Sequence, residues 1–309
     1  MKYDFKDGNG LVEAHRHKNQ DGTKGGWVAK TATVTETAYI GLNAQVYGNA
    51  IVCDNAKVYG HAKVFGDVEV FGHANVFGHA NVFGYTKVYG DALVCGDAKI
   101  YGYAKVCGNA KVFGHAKVCG NAKIYGYALV CDNALVYGNA KVYGDTQVCG
   151  DVEVFGHANV FGYTKVYGYA KVCGNAQVCE DQYIIFSKVT KNLTSRKNLR
   201  ENIKAQTGLI SSEKEVICFK QVNTNLSSFH DSSFFYEVGK WIKVENVDLS
   251  NKSCSNGLHF SNATYWENQC ESKSSVYLMC KVLLDDIITV QKGKIRAKKC
   301  FVMENLGTI

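Results

Sequence analysis

Small and apolar residues recur with a period of six through the first half of the chain. A small residue stands at every sixth position from Ala32 to Ala176, and Val or Ile follows two positions later from Val34 to Val178. This gives 25 consecutive hexads without an insertion or a deletion. A repeat this short predicts a solenoid, because each unit can bury its apolar side only against its neighbours.

Each hexad predicts a short strand followed by a sharp turn. In AKVFGH at 110–115, the alanine and the valine point to one side of a strand, and the lysine and the phenylalanine point to the other. The lysine position carries Glu, Asn or Gln in other hexads, so this side faces water and the Ala/Val side is the core. The glycine and the polar residue or Tyr after it supply the turn, since Gly tolerates positive φ.

The string [Val/Ile]-x-Gly-[Asn/Asp/His]-Ala-x resembles the hexapeptide repeat of left-handed β-helices, the architecture of LpxA-like proteins. Gly stands one place later than in the commonest form of that motif, and the resemblance covers about half of the chain. It implies three hexads per coil, hence roughly eight coils and a prism on the order of 40 Å long. It also implies a homotrimer packed through the prism faces. The predicted fold is an all-β left-handed parallel β-helix with a small carboxy-terminal α+β domain.

The residue after each Val or Ile points outward and is aromatic in fifteen hexads and Cys in eight. At three hexads per coil these residues stack into ladders, such as Phe71, Tyr89, Cys107, Tyr125, Tyr143 and Phe161. Stacked pairs stabilise neighbouring strands by about 0.2–1 kcal/mol each. An outward apolar surface also favours an interface.

One face of the prism combines basic and aromatic positions. Its candidate binding residues are Lys87, Lys105, Lys123 and Lys141, with Tyr89, Tyr125 and Tyr143 two positions on. Such a face is typical of proteins that bind single-stranded nucleic acid or another polyanion. Residues 32–179 hold eleven basic and ten acidic side chains, and Glu69 and Glu153 take the lysine position elsewhere. An ordinary solvated face is the alternative.

The same resemblance implies acyl transfer, in which hexapeptide acyltransferases use a histidine as general base inside loops that project from the coils. The repeat histidines are His61, His73, His79, His115 and His157, all at the turn position. No loop interrupts the hexads, and no carboxylate is specifically placed to orient any of these histidines. DVEVFGHANVFG recurs at 67–78 and 151–162, 14 hexads apart and therefore on different faces. These observations favour a scaffold over an enzyme.

The remaining composition supports a folded intracellular protein. The first residues, MKYDFKDGNG, contain no signal peptide and no later stretch approaches membrane-spanning length, which predicts a cytoplasmic protein without a membrane partner. The number of cysteines, thirteen, is odd, and most of them occupy one repeat position. This is typical of cysteines that stay reduced and pack as small hydrophobic side chains. Residues 1–31 are predicted to form a cap in which Trp27 and Val28 cover the core. His15 and His17 alone are weak evidence for a metal site, and none is predicted.

The repeat stops after Val178. The predicted organisation is a cap at 1–31, the β-helix at 32–182, a linker at 183–195 and an α+β domain at 196–309. In the last domain, SRKNLRENIKAQTGL predicts a helix capped by Ser195 and ended by Gly208. Strands are predicted at VICFKQV, FFYEVGKWIKV, VYLMCKVLL and KIRAKKCFVM, with a short helix from Ser261 through NATYWEN.

Two resemblances concern this carboxy-terminal domain. FFYEVGKW, CSNGLHFSNATYW and DDIITVQKGKIRAKKCFV resemble a module recurrent in phage and giant-virus proteins, which implies a viral setting, with the host cytoplasm or the virion as location, and no known activity. GLHFSNATYW also resembles the strand-to-helix step of ADP-ribosyltransferases. That likeness implies a polar residue on an early strand, for which the chain offers Lys220 or Gln221. It also implies a catalytic acid late in the domain, for which the chain offers Asp285, Asp286 or Glu304.

The sequence therefore predicts a non-enzymatic structural or binding protein without a cofactor, whose partner is an unknown protein or a polyanion. The alternatives are a hexapeptide acyltransferase-like enzyme and a nucleotide-binding or ADP-ribosyltransferase-like carboxy-terminal domain. A cleft beside a repeat histidine would favour the first, and a cleft lined by His259 and Lys220 the second. Otherwise His259 is predicted to be a hydrogen-bonded, half-buried side chain. Cys254 and Cys270, without a CxxC partner, predict no zinc site.

Overall fold

The computed structural model describes residues 1–179, 182–185, 188–190, 198–248, 256–267 and 275–308. The chain forms two compact units, unit 1 at Met1–Glu180 and unit 2 at Asp181–Ile309. Cys254, Cys270 and Ser195 lie outside the described residues, so the zinc and helix-capping predictions that concern them are not addressed. Within the described residues, no helix is long and apolar enough to cross a membrane.

Unit 1 consists of short strands, most of them two residues long. They are β1 (Lys2–Asp4), β2 (Leu11–Lys18), β3 (Lys24–Ala29), β4 (Thr33–Val34), β5 (Tyr39–Ile40), β6 (Gln45–Tyr47), β7 (Ile51–Val52), β8 (Lys57–Val58), β9 (Lys63–Gly66), β10 (Glu69–Val70), β11 (Asn75–Val76), β12 (Asn81–Gly84), β13 (Lys87–Val88), β14 (Leu93–Val94), β15 (Lys99–Ile100), β16 (Lys105–Val106), β17 (Lys111–Val112), β18 (Lys117–Val118), β19 (Lys123–Ile124), β20 (Leu129–Val130), β21 (Leu135–Val136), β22 (Lys141–Val142), β23 (Gln147–Val148), β24 (Glu153–Val154), β25 (Asn159–Val160), β26 (Lys165–Val166), β27 (Lys171–Val172) and β28 (Gln177–Val178).

From β3 onward, each strand pairs in parallel with the strand three positions later in the chain, which builds three sheets around one axis. Lys87 lies beside Lys105, and Val88 beside Val106, so the register repeats every three hexads. The predicted parallel β-helix is thus confirmed. It has about nine turns rather than eight. In unit 1, β3, which belongs to the predicted cap, pairs in parallel with β6 and adds one strand to those of the 25 hexads.

The core of unit 1 is the predicted Ala/Val column. Ala110 and Val112, like the small and Val or Ile residues of most other hexads, have no solvent exposure. Thr146, which replaces an alanine, donates its hydroxyl to the carbonyl of Tyr143 at 2.7 Å. A buried hydroxyl is therefore accommodated by bonding within its own turn.

The turn glycines stack directly on one another. Gly120 has φ +65°, and a Cβ on it would lie 3.0 Å from the backbone nitrogen of Gly138 on the next coil. Both the positive φ and the close approach of the backbones favour glycine here, as the turn prediction requires.

The cysteine prediction is wrong at one pair, because Cys131 and Cys149 are joined by a disulfide. The register of three hexads places them on successive coils with their Cα atoms 4.7 Å apart, within the range that a disulfide spans. Within the described part of unit 1, the thiols of Cys53, Cys95, Cys107, Cys119 and Cys173 form no disulfide.

The first strands of unit 1 are antiparallel and pack a small apolar cluster. β1, β2 and β3 pair in antiparallel fashion, and Phe5, Ala14, Ala29 and Tyr47 form a buried cluster against which Trp27 packs. Val28 has no solvent exposure. Val28 lies beside Val46 of the core, whereas Trp27 lies beside the outward-facing Gln45 and packs with the outward ring of Tyr47. The prediction that Trp27 covers the core is therefore wrong, because neighbouring strand residues point to opposite sides.

Unit 2 is an α+β domain. Its elements are β29 (Tyr183–Ile184), β30 (Lys188–Val189), α1 (Leu199–Thr207), β31 (Glu215–Asn223), β32 (Trp241–Lys243), β33 (Leu258–Phe260), α2 (Ala263–Glu267), β34 (Ser275–Leu283), a 3-10 turn at Leu284–Asp286, β35 (Ile287–Gln291), β36 (Lys294–Ala297) and β37 (Lys299–Gly307). One sheet has the order β31-β34-β37-β32 and another has the order β33-β36-β35.

Most predicted elements of unit 2 are present, with two differences. Helix α1 ends at Gly208, whose φ of +73° makes the expected left-handed cap. FFYEVGKWIKV forms a strand only at Trp241–Lys243. KIRAKKCFVM forms two strands, because the backbone of Lys298 does not continue the strand pairing. Its N–H donates to the carbonyl of Asp286 at 2.9 Å, and its carbonyl accepts from the N–H of Val244 at 3.1 Å.

Candidate functional site

The predicted lysines of the basic face form one column, which we call the lysine ladder: Lys87, Lys105, Lys123 and Lys141. They lie on β13, β16, β19 and β22, four neighbouring strands in register. Lys87 donates from Nζ to both carboxylate oxygens of Glu69 at 2.7 Å. Within the described residues, the other three lysines have no salt bridge. Like charges side by side in a sheet repel one another, so this column favours a negatively charged ligand.

The three predicted tyrosines lie on the same face, but they present ring edges to solvent. The ring of Tyr143 lies between those of Tyr125, at 4.7 Å, and Phe161, at 5.0 Å. Tyr89 stacks on Phe71 at 4.9 Å. A hydrogen bond with Cys107, followed by burial, raises the pKa of Tyr89 to about 12. Rings that already cover one another offer little surface to a nucleic-acid base, so this face favours charge recognition over base stacking.

An open groove of about 390 Å³ runs along a neighbouring corner of the prism. Its lining residues are Asp91, Asn109, Lys111, Tyr127, Leu129, Asp145 and Gln147. No repeat histidine lines this groove, nor do Lys220 and His259. It therefore matches neither cleft that would favour an enzyme.

The repeat histidines remain on exposed turns. The rings of His61 and His79 stack at 5.0 Å on successive coils. The prediction that no carboxylate accompanies these histidines is wrong for His115, whose Nδ1 lies 3.7 Å from Oδ2 of Asp97. This contact arises because both turn positions lie in the same column, one coil apart. Both side chains are more than half exposed, and exposed pairs of this kind interact weakly.

Lys220 and His259 are brought together in unit 2. Phe219 and Ser261 exchange backbone hydrogen bonds of 2.7 and 3.0 Å, which holds β31 beside the end of β33. Nζ of Lys220 then donates to the carbonyl of His259 at 3.3 Å. The same nitrogen lies 5.1 Å from the ring centre of Tyr236 and 5.8 Å from that of Trp266. The structure thus assembles two candidate residues that are 39 positions apart in sequence.

This pair lies in a buried, positively charged environment. Lys220 is 8% exposed, and burial lowers its pKa to about 8. Burial, followed by the positive charge of Lys220, lowers the pKa of His259 to about 3. Nε2 of His259 is buried without a hydrogen-bond partner, so the prediction of a fully bonded histidine is wrong. The residue directly across the sheet is Arg296, whose guanidinium offers no acceptor.

The carboxylates expected from the ADP-ribosyltransferase resemblance do not converge on Lys220. Lys220 lies opposite Leu278, and Glu304 lies opposite the next residue, Met279. Neighbouring strand residues point to opposite faces, so Lys220 and Glu304 face away from each other. Asp286 pairs instead with Lys298 at 3.4 Å.

Within the described residues, a single group of three or more side chains has metal-ligand geometry. It consists of Cys131, Asp132 and Cys149, whose ligand atoms all lie within 4.8 Å of one another. His17 instead bonds the carbonyl of Ala38 through Nε2 at 3.1 Å. The cysteine group was not predicted from the sequence, although its signal was present: two cysteines three hexads apart, with Asp in place of the usual turn glycine.

A family model matches a short part of unit 1. The family described as YdcK Beta solenoid repeat matches residues 44–60. A solved structure of an Arabidopsis UDP-N-acetylglucosamine acyltransferase is 10% identical, with a TM-score of 0.22, over 52% of this chain and 69% of that chain. No curated protein matches the chain. These likenesses concern the repeat architecture alone.

Proposed function

We propose that this chain is a non-enzymatic binding protein in which the β-solenoid is a rigid scaffold and unit 2 is a recognition domain. The observation that carries the proposal is the uninterrupted solenoid between residues 32 and 179, where every coil has the same length. Hexapeptide acyltransferases build their pockets with projecting loops, and this range contains none. Acyl transfer and ADP-ribosyl transfer remain the alternative functions.

The ligand we propose for the solenoid is a polyanion bound along the lysine ladder. Four lysines in register place cationic groups at intervals of about 4.8 Å, the spacing of neighbouring strands. Only Lys87 has an acidic partner within the described part of this column. Binding of a polyanion would relieve the repulsion between the lysines and release counterions.

The remaining parts of the proposal come from the sequence resemblances. We propose a homotrimer packed through the prism faces, and a phage or viral protein that acts in the host cytoplasm or in the virion. In unit 2, the Lys220–His259 pair supports a role in recognising a small anionic group, because the pair lies near the positive charges of Lys294 and Arg296.

The polyanion proposal is tested with the full chain, inorganic polyphosphate as the probe, and two matched variants. One variant replaces all four lysines of the lysine ladder with Gln. The control variant replaces four other lysines with Gln, namely Lys63, Lys99, Lys117 and Lys171. The control lysines lie at the same repeat position on another face, and Lys171 pairs with Glu153 as Lys87 pairs with Glu69. We expect the ladder variant to lose at least about tenfold in affinity and to show a shallower salt dependence, with little change in the control.

Equal losses in both variants would contradict a face-specific site, and no binding by the wild-type chain would reject polyanion recognition. Turnover of an acyl thioester that disappears in a His115→Ala variant would instead support the acyltransferase alternative.

A further inference from the structure

The turns of the solenoid contain two departures from glycine. Between residues 48 and 174 the positive-φ position of each turn is Gly except at Asp54 and Asp132, both with φ +57°. A side chain in this conformation costs roughly 1–2 kcal/mol, least for Asn and Asp. Each Asp follows a cysteine and precedes an asparagine, so the two turns read Cys-Asp-Asn.

Both aspartates are held in the same way by the next coil. Gly72 donates its N–H to Oδ2 of Asp54 at 3.0 Å, and Gly150 donates to Oδ2 of Asp132 at 3.1 Å. The bond fixes each carboxylate beside the outward column of its cysteine and leaves Oδ1 for another contact. The two turns thus offer the same oriented carboxylate.

The turns differ in what stands one coil further along. Beside Cys53 the next outward residue is Phe71, and beside Cys131 it is Cys149. Cys131 and Cys149 are 6% and 8% exposed, and their sulfur atoms and the Asp132 carboxylate lie within 4.8 Å of one another. The first turn is therefore a half-site, and the second contains two sulfur ligands and one oxygen ligand.

We propose that Cys131, Asp132 and Cys149 bind a thiophilic divalent cation, of which Zn²⁺ is the best fit, once the disulfide between the two cysteines is reduced. Thiolates and a carboxylate are ordinary zinc ligands, and three protein ligands leave a fourth tetrahedral position for water. Sulfur ligands also select zinc over the oxygen-preferring cations Mg²⁺ and Ca²⁺.

The backbone geometry suits this donor set without movement of the coils. Neighbouring strands in a sheet lie about 4.8 Å apart, and side chains in register point the same way. Two sulfur atoms at the usual zinc distance of about 2.3 Å lie roughly 3.8 Å from each other in a tetrahedral site. The hydrogen bond from Gly150 orients the carboxylate, as outer contacts orient ligands in other metal sites.

The redox state decides whether the site exists. Two equivalents of a small thiol deliver two electrons and two protons to the disulfide, which yields the thiols of Cys131 and Cys149 and one disulfide of the reductant. Zinc binding then releases both thiol protons to solvent, while the Asp132 carboxylate binds in its ionised form. Reoxidation by a disulfide-containing oxidant reverses the sequence and expels the metal.

The test uses the full chain, reduced and freed of reductant under argon, with Zn²⁺ alone as the probe. Zinc content after dialysis gives the stoichiometry, and protection from alkylation, read by peptide mass spectrometry, gives the cysteines involved. The variants are Cys149→Phe, Cys149→Ser and Asp132→Gly, with Cys53→Phe and Asp54→Gly as matched controls. Phe and Gly are the repeat's own residues at these positions, so folding is expected to be retained, and circular dichroism checks it.

We expect the wild-type chain to bind one more zinc than either Cys149 variant and to show protection at Cys131 and Cys149. Asp132→Gly should weaken binding at least about tenfold, and the Cys53 and Asp54 variants should match the wild type. Equal zinc content in wild type and both Cys149 variants would overturn the proposal. An equal loss of zinc affinity in Asp132→Gly and Asp54→Gly would also overturn it. The same holds if oxidation leaves zinc binding unchanged, or if the disulfide resists reduction in the folded chain.

Discussion

The solenoid and unit 2 bury different kinds of residue. Between residues 32 and 179 the buried polar side chains are three threonines, and no charged side chain is buried. The interior of unit 2 includes Lys220 and Arg296, 8% and 1% exposed, together with the buried Nε2 of His259. Buried charges destabilise a fold unless hydrogen bonds or opposite charges compensate them.

The two units also differ in how far apart their contacts lie along the chain. Every strand of the solenoid pairs with a strand three hexads away, so its stability is spread over many equivalent interfaces. In unit 2, β31 pairs with β34 much later in the chain, and one set of apolar residues from several strands forms the core. A single substitution should therefore affect unit 2 more than unit 1.

The largest expected difference comes from truncating the core. Leu278 has no solvent exposure, and Leu278→Ala should lower the free energy of unfolding of unit 2 by about 2–5 kcal/mol. In the solenoid, Ile124→Val introduces the residue that most hexads already have and should cost only about 0.5–1.5 kcal/mol. Urea denaturation measures both, and equal costs would contradict the expected order of these two truncations.

Acid should act next most strongly, through His259. Its pKa is about 3 in the folded chain and 6.5 ordinarily, so between these values the unfolded state takes up a proton that the folded state does not. Stability should therefore fall as pH drops from 6.5 to 3. We expect His259→Gln to remove this part of the slope in urea titrations.

Lys220 should also make the free energy of unfolding rise with pH, in a higher pH range. Its pKa is lowered from 10.5 to about 8, so stability should rise as pH increases between these values, and Lys220→Met should flatten the rise. An acid slope retained in His259→Gln would show that other groups carry it.

The smallest expected effect is the difference in stability between Ala substitutions at two glycines with positive φ. At Gly239, with φ +80°, no atom lies within 4 Å of an added Cβ, so Gly239→Ala should cost about 1–2 kcal/mol from backbone conformation alone. At Gly120 the added Cβ would also lie 3.0 Å from Gly138, so Gly120→Ala should cost more. Thermal unfolding of both variants checks the order, and a larger loss for Gly239→Ala would reverse the interpretation.

The sequence predicted unit 1 well because each hexad repeats its own environment. The columns of Ala and Val, the glycine turns and the aromatic ladders all follow from a period of six and a coil of three hexads. The parallel pairing of β3 with β6 was not predicted, since β3 lacks the hexad pattern. The Cys131–Cys149 bond was not predicted either, although the register implied that these residues are neighbours.

In unit 2 the sequence predicted most of the strands and both helices but not how their side chains meet. Lys220 and His259 were named as the lining of one cleft, but only the pairing of β31 with the end of β33 placed Nζ of Lys220 3.3 Å from the carbonyl of His259. The isolated Nε2 of His259 likewise depends on Arg296 lying across the sheet.

By itself, the sequence determined the repeating strand and turn, the direction of each side chain in the solenoid and the lysine ladder, because these depend on neighbours at a constant sequence separation. Only the tertiary structure decided the burial of Lys220 and the convergence of Cys131, Asp132 and Cys149 on one point. Those features depend on distances and solvent access between particular atoms, which the pattern of residue types does not specify.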